Sequence, residues 1–188
     1  MALVNRSKLK AGLILVKGRQ GINRSTQVIA DSVDAVQAGV DALNVPSAFF
    51  TAAPANPTGT TSLTGVMMGL GSAFKITPVR SGTVLIILQG SLNNNTTAVG
   101  DGALINIRYG TGTAPANGAA ATGTNPGNTI AFQQSTANAQ GAADNPFTLH
   151  GLATGLTLNT AIWIDAALAA ITAGTASITR LVTTVIEL

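Results

Sequence analysis

The residues able to take part in acid–base chemistry are few and widely spaced. His150 is the single histidine, and it ends a predicted strand, PFTLH, without a carboxylate nearby in the sequence. General acid–base catalysis needs two groups held close together, and the acidic residues supply no convincing pair. Three acids are expected on the solvated face of a helix and two in turns. The acidic residues are Asp31, Asp34, Asp41, Asp101, Asp144, Asp165 and Glu187. We therefore predict no catalytic residues and a protein that is not an enzyme.

Patterns for binding metals or phosphate cofactors are also missing. The chain has no cysteine, which excludes thiolate metal sites. No EF-hand spacing occurs, although a calcium site built from loop oxygens around Asp101 or Asp144 is an alternative. The stretches GLGSAFKI and GTGTAPANG fit neither a phosphate loop nor a dinucleotide fingerprint, because no Gly-Lys-Ser/Thr triplet and no βαβ pattern occur. The sequence thus predicts neither a metal nor a cofactor.

Positive charge is concentrated at the start of the chain. Residues 1–24 carry six basic side chains and no acidic one, whereas the remaining 164 residues carry four basic and seven acidic side chains, a net charge of −3. We predict an anchoring arm that binds an acidic protein surface, with 12–17 as a candidate strand; a solvated leader is the alternative. Nucleic acid is a weaker choice, since no dense basic run and no interleaved aromatics occur. The arm residues are Arg6, Lys8, Lys10, Lys17, Arg19 and Arg24.

The composition indicates a surface that is largely covered by partners. Only 9% of the residues are charged, against roughly 25% in an ordinary soluble domain. A membrane protein is the competing explanation, but the longest apolar runs, such as VLIIL at 84–88, are far shorter than the ~20 residues of a membrane-spanning helix. One tryptophan and one tyrosine cannot form the aromatic girdles of a membrane barrel. GLILV near the start is too short for a signal peptide. We therefore expect a soluble protein that is oligomeric or bound to an assembly.

A heptad pattern marks the segment VIADSVDAVQAGVDAL at 28–43. Its apolar residues are spaced 4, 3, 4 and 3, which predicts a helix over 25–43, capped by Ser25 or Asn23, with one narrow apolar seam. β-Branched residues at both core positions of the heptad favour trimers over dimers. Docking of the helix on its own β domain or on another protein are the alternatives. The predicted seam consists of Ile29, Val33, Val36, Val40 and Leu43.

The rest of the chain is predicted to be a β domain that follows a linker. The linker includes residues 44–64 and is rich in proline and threonine, so the helix and linker together span 25–64 and the β domain spans 65–188. By alternation, Ile162 and Ile164 share one strand face and Trp163 and Asp165 the other. Eight short strands without helical periodicity predict a jelly-roll-type antiparallel β-sandwich, preceded by the basic arm and the short helix. The candidate strands are 66–70, 73–77, 83–89, 103–109, 129–133, 146–150, 161–168 and 176–187.

Three segments of the β domain carry a resemblance to a known group of proteins. FKITPVRSGTVLIILQG, INIRYGTGTAPANGAAATGT and GLATGLTLNTAIWIDAAL, in this order within about residues 66–188, resemble a pattern in structural proteins of tailed bacteriophages. The resemblance implies a trimeric jelly roll that serves as a head decoration (cement) protein or as a fibre or spike module. It carries over no catalytic or metal-binding residue.

The resemblance and the residue pattern together lead to one expectation and two alternatives. We expect a homotrimer on the capsid surface of a virion, made in the host cytoplasm without a signal peptide. It would bind the major capsid protein or another virion protein, with no direct contact to nucleic acid or membrane. A tail fibre, spike or baseplate module that binds a receptor or carbohydrate is the first alternative. The second, a carbohydrate-binding or hydrolytic jelly roll, is disfavoured because only Trp163 and Tyr109 could stack on a sugar.

Overall fold

The computed structural model describes residues 20–43, 48–96, 98–127, 129–134 and 144–188. The chain divides into two compact units, Met1–Val45 and Pro46–Leu188. In the first unit the described residues form one helix, and in the second they form a two-layer β-sandwich. No helix within the described ranges is long and apolar enough to cross a membrane.

The helix, α1, spans Gln20–Leu43 and is 24 residues long. It therefore begins five residues before the predicted start at Ser25, and the predicted caps Ser25 and Asn23 lie inside it. No proline interrupts the preceding residues, and a serine or asparagine within a helix costs only a fraction of a kcal/mol relative to alanine. The potential capping residues were thus accommodated in the helix, and the prediction of its start was wrong.

The described residues of the sandwich form nine strands, and each of the eight predicted strands has a counterpart among them. The first two predicted strands are cut to two residues each, because Gly69 adopts a left-handed φ of 74° and a 3₁₀ turn follows at Leu70–Ser72. The strands are β1 Phe49–Ala52, β2 Val66–Met67, β3 Lys75–Ile76, β4 Val84–Asn94, β5 Gly102–Thr111, β6 Thr129–Gln133, β7 Asn145–Ala153, β8 Ile162–Ile171 and β9 Ala176–Glu187.

The strand order confirms a jelly roll. The first sheet has the order β1-β9-β4-β7, and the second has β2-β8-β5-β6 with β3 also paired to β8. Every pairing is antiparallel. The pairs are nested along the chain: β1 with β9, β2 and β3 with β8, β4 with β7, and β5 with β6. A long hairpin folded over on itself gives this nesting, which places alternate pairs in opposite sheets.

The core lies between the two sheets and is built from alternating residues. In β4, Val84, Ile86 and Leu88 are buried, whereas the residues between them face outward. Burying such a side chain contributes about 1.5–3 kcal/mol, so the alternation fixes which face of each strand points inward. Other large core side chains include Phe74, Leu92, Ile105, Ile107, Leu149, Ile162, Ile164, Leu168 and Ile178.

Strand β1 lies inside the range 44–64 that was predicted to be a linker. It pairs with β9 over the whole of Phe49–Ala52, and the Phe50 ring packs edge-on against that of Phe74 with centroids 5.6 Å apart. The sandwich therefore starts before residue 65, and the second compact unit begins at Pro46. A four-residue strand whose partner lies far along the chain leaves no periodic signal in its own sequence.

Candidate assembly surfaces

Four of the predicted seam residues of α1 are exposed to solvent. Ile29, Val33, Val36 and Val40 are 62%, 45%, 67% and 43% exposed. Their 4-3-4 spacing places them along one face of a helix. The side chain of Leu43, the fifth seam residue, lies outside the described residues. The helix thus presents an apolar stripe to solvent, and its function as an assembly seam stays a prediction.

The basic arm falls almost entirely outside the described part of the chain. This applies to Arg6, Lys8, Lys10, Lys17 and Arg19, and to the candidate strand at 12–17. Arg24 belongs to α1, but its side chain is not among the described ones.

Residues 112–127 form a long connection that packs against part of the outer face of the second sheet, around Trp163. On that face Trp163 packs with Met67, Ala167, Ala114 and Ala119 in a cluster separate from the main core. Ile162 and Ile164 belong to the main core, which confirms the two faces predicted for β8. Connections of this length in compact domains are uncommon and are usually functional or disordered. In the structure it is held by the sheet of its own chain.

The Trp163 side chain fixes this connection in place. Its indole N–H donates a hydrogen bond to the carbonyl oxygen of Thr111 at 3.0 Å. A Cβ atom added at Gly110 or at Gly123 would lie 2.5 Å from the indole ring, and Gly123 also has a φ of 76°. The two glycines therefore allow the backbone to approach the ring on both sides of the connection.

Asp165 is buried beside Trp163 and has a structural role. Its carboxylate accepts hydrogen bonds from the backbone N–H of Gly69 at 3.1 Å and of Ala166 at 2.7 Å. Burial raises the pKa of Asp165 above 3.8, and the hydrogen bonds from Ala166, Leu70, Gly69 and Gly71 offset this only in part. The carboxylate therefore attaches the 3₁₀ turn to β8.

Glu187 ties three separate segments together and was not recognised from the sequence. Its side chain is 2% exposed. Burial acts to raise its pKa, but hydrogen bonds from backbone N–H groups outweigh burial and lower the pKa from 4.5 to about 2. The carboxylate joins the end of β9 to the start of β1 and to the loop before β4. The donors are Ala48 at 3.1 Å, Val79 at 3.0 Å, Arg80 at 2.7 Å, Ser81 at 2.8 Å and Gly82 at 3.4 Å.

The remaining candidate chemical residues are dispersed. His150 is exposed and lies within β7, not at its end as predicted, because β7 continues to Ala153. Asp144 forms an exposed ion pair with Arg180 at 2.9 Å, and Asp101 is buried. Among the described residues no three His, Cys, Asp or Glu side chains are grouped so that they could hold a metal ion. Among the described residues, no such group supports the alternative of a calcium site at Asp101 or Asp144.

The described surface of the sandwich carries very few charges. Residues 48–188 contain eight charged side chains, and three of them, Asp101, Asp165 and Glu187, are buried. Two of the other five pair with each other, Asp144 with Arg180. The remaining three are Lys75, Arg80 and Arg108.

Comparison with known proteins assigns no family to the chain. No protein-family model matches it, and no curated protein does. One similar solved structure is that of Eiger TNF from S. frugiperda, with a TM-score of 0.30, 11% identity, and coverage of 77% of this chain and 87% of that one. Another is the structure of infectious bursal disease virus, Gx strain, with a TM-score of 0.22 and 15% identity. That comparison covers 76% of this chain but only 39% of the viral one.

Proposed function

We propose that this protein is a non-enzymatic virion structural protein, a homotrimeric decoration (cement) protein that stabilises a phage head by bridging capsid subunits. The observation that carries the proposal is the exposed heptad seam of α1 in a chain whose other described unit is a jelly roll with almost no surface charge. The resemblance of three β-domain segments to structural proteins of tailed phages supports the choice of a virion.

The seam favours self-association because its exposed apolar side chains would be removed from water by packing against the same side chains of another copy. Full burial of an aliphatic side chain is worth about 1.5–3 kcal/mol. Val33 and Val40 are a little under half exposed and Ile29 and Val36 more, so each has roughly 1 kcal/mol left to gain, or ~4 kcal/mol per copy. That amount is at the low end of the ~4–15 kcal/mol that association costs. A trimer held by the seam therefore requires a further contact.

The buried carboxylates support a structural function. Asp165 and Glu187 both accept hydrogen bonds from backbone N–H groups, which commits them to holding turns and strands in place. The exposed Asp144 is paired with Arg180. Each of these three acids thus has a structural partner.

Attachment to the particle is assigned to the basic arm. Three arms on one trimer bind neighbouring capsid subunits at once, and multivalency converts weak single contacts into tight attachment. Cross-linking of subunits at such a junction resists the outward pressure of packed DNA. The partner is the major capsid protein or another virion protein, without direct contact to nucleic acid or membrane.

The trimer is tested by placing charge on the seam. We expect the wild-type chain to sediment as a trimer at micromolar concentration and the double variant Val36→Asp, Val40→Asp as a monomer with an intact sandwich. Ala35→Asp, Ala38→Asp is the matched control, because both alanines are exposed on α1 and lie off the seam. A wild-type monomer in sedimentation equilibrium contradicts the proposed trimer.

The arm is tested by deleting residues 1–19, which leaves α1 complete. We expect the deleted protein to remain a folded trimer and to lose attachment to particles. Raised salt should slow attachment more than it releases bound protein. Salt screens the charges that draw the arm to an acidic surface. It does not screen the main-chain hydrogen bonds of a strand added to a partner's sheet edge. Full decoration by the deleted protein overturns this assignment.

Imaging of intact particles decides between the proposal and its alternative. A cement protein covers the outer shell, whereas a fibre, spike or baseplate module, with a β domain that binds a receptor or carbohydrate, is confined to the tail. Labelled protein found only at the tail tip rejects the decoration function and favours that alternative.

A further inference from the structure

Eleven residues on the outer face of the first sheet form an uncharged surface. Strand register aligns Phe49, Ile186, Leu85 and Leu152 in one row across all four strands. In the next rows Ile87 and Val182 are the apolar members. Phe49, Leu152 and Val182 are exposed, and the other apolar members are half-buried. The face consists of Phe49, Thr51, Leu85, Ile87, Gln89, Thr148, His150, Leu152, Val182, Thr184 and Ile186.

The lack of charged residues on this face is unusual for a sheet face that is exposed to solvent. The solvent side of an antiparallel sheet is ordinarily polar. None of the eleven residues is Lys, Arg, Asp or Glu. The second sheet differs, because part of its outer face packs against residues 112–127 of the same chain.

We infer that the outer face of the first sheet is a contact surface between copies of this chain. If the partner had charged residues at the contact, those residues would lose their hydration, and this face offers no opposite charge to compensate them. A second copy avoids that cost, because the sandwich exposes so few charges. The cores of subunit interfaces are likewise apolar and poor in charge. The apolar row at Leu85, Leu152, Phe49 and Ile186 supplies such a core.

The area of the face indicates that it acts together with another contact. Four strands spaced ~4.8 Å apart and three rows spaced ~6.8 Å apart cover about 400 Å². A stable interface buries about 800 Å² on each partner. The face therefore provides about half of what is needed, and this inference rests on the proposed trimer. It supplies the further contact that the short α1 seam requires.

Cysteine labelling in the full-length chain tests the face directly. The chain has no natural cysteine, so Leu152→Cys adds a single thiol on the face. Leu158→Cys is the matched control: Leu152 is 46% exposed and Leu158 is 43% exposed, and Leu158 lies in the turn after β7. Both variants are reacted with a maleimide at increasing protein concentration, while sedimentation follows association.

We expect labelling at position 152 to slow as the protein associates, by about tenfold when about a tenth of the copies are free, while labelling at 158 stays constant. Adding Val36→Asp and Val40→Asp should restore fast labelling at 152. A trimer in which 152 and 158 react equally fast overturns this inference and leaves the proposed trimer standing. A monomer at every concentration overturns the trimer itself. Protection of 152 only on intact particles assigns the face to a different virion protein and overturns the contact between copies.

Discussion

Replacing Glu187 by glutamine should remove a major part of the stability of the sandwich. The carboxylate is the acceptor for backbone N–H groups at Ala48 and in the loop Val79–Gly82, so it holds β9, β1 and that loop together. Glutamine preserves the size of the side chain. Its amide group, however, carries no charge and turns an N–H donor toward backbone donors, which leaves several of them without an acceptor.

The size of the effect follows from the pKa of Glu187. Lowering the pKa from 4.5 to about 2 means that the fold favours the charged carboxylate by ~3 kcal/mol, at about 1.4 kcal/mol for each pH unit. We expect Glu187→Gln to lower the free energy of unfolding by about 3 kcal/mol at pH 7, a large part of the ~5–15 kcal/mol of a typical domain.

The pH dependence has a definite sign. Because the folded-state pKa lies below the unfolded value, the contribution of Glu187 is fully present above pH 4.5 and is lost as the pH falls toward 2. The gap in unfolding free energy between the wild type and Glu187→Gln should therefore narrow over this interval.

Urea unfolding monitored by Trp163 fluorescence, repeated from pH 7 down to about pH 2, measures both quantities. Asp144→Asn serves as the control, since its ion pair with Arg180 is exposed and such pairs contribute about 0–1 kcal/mol. The reasoning is refuted if Glu187→Gln is as stable as the wild type at pH 7, or if the gap between them does not change with pH.

Three further substitutions test a buried hydroxyl group, a glycine beside Trp163 and a glycine in α1. The Thr183 hydroxyl is buried and has no hydrogen-bond partner within the described chain, so Thr183→Val should raise the free energy of unfolding by about 1 kcal/mol in urea titrations; a loss of stability would contradict this. Gly123→Ala forces a Cβ atom against the Trp163 ring, and it should cost about 2–4 kcal/mol and shift the Trp163 emission. Gly118→Ala, with a similar φ but open space around it, is its control and should cost about 1 kcal/mol without that shift. Gly39 in α1 has open space around it, so Gly39→Ala should stabilise the helix by about 1 kcal/mol, seen as increased helical circular dichroism and a lower dissociation constant of the oligomer; unchanged values of both would contradict it.

The sequence predicted those features that repeat locally. Short apolar or alternating segments between turn-rich clusters predicted eight strands, and alternation assigned the two faces of β8 from Ile162 and Trp163. The heptad spacing likewise identified Ile29, Val33, Val36 and Val40 as one apolar stripe. In these cases a residue and its near neighbours contain the whole signal.

Features that depend on distant pairing could not be predicted. Strand β1 is defined by β9, and the acceptor role of Glu187 is defined by loops far from it in sequence. The uncharged face of the first sheet has the same origin: Phe49, Leu85, Leu152 and Ile186 come from four strands, and only the register aligns them. The contact of residues 112–127 with the second sheet was not predictable either, because it depends on the close approach of Gly110 and Gly123 to the Trp163 ring.

The position of β9 constrains how the protein can be made in a cell. It lies between β1 and β4 in the first sheet, yet it leaves the ribosome after all the other strands. At ~5–20 residues per second, about 2–7 s separate the synthesis of Ala153 from that of Glu187. Throughout that interval β1 has no partner and one edge of β4 is open, so two nascent chains on one messenger can exchange strands at that edge. The sandwich closes only after β9 has left the ribosome.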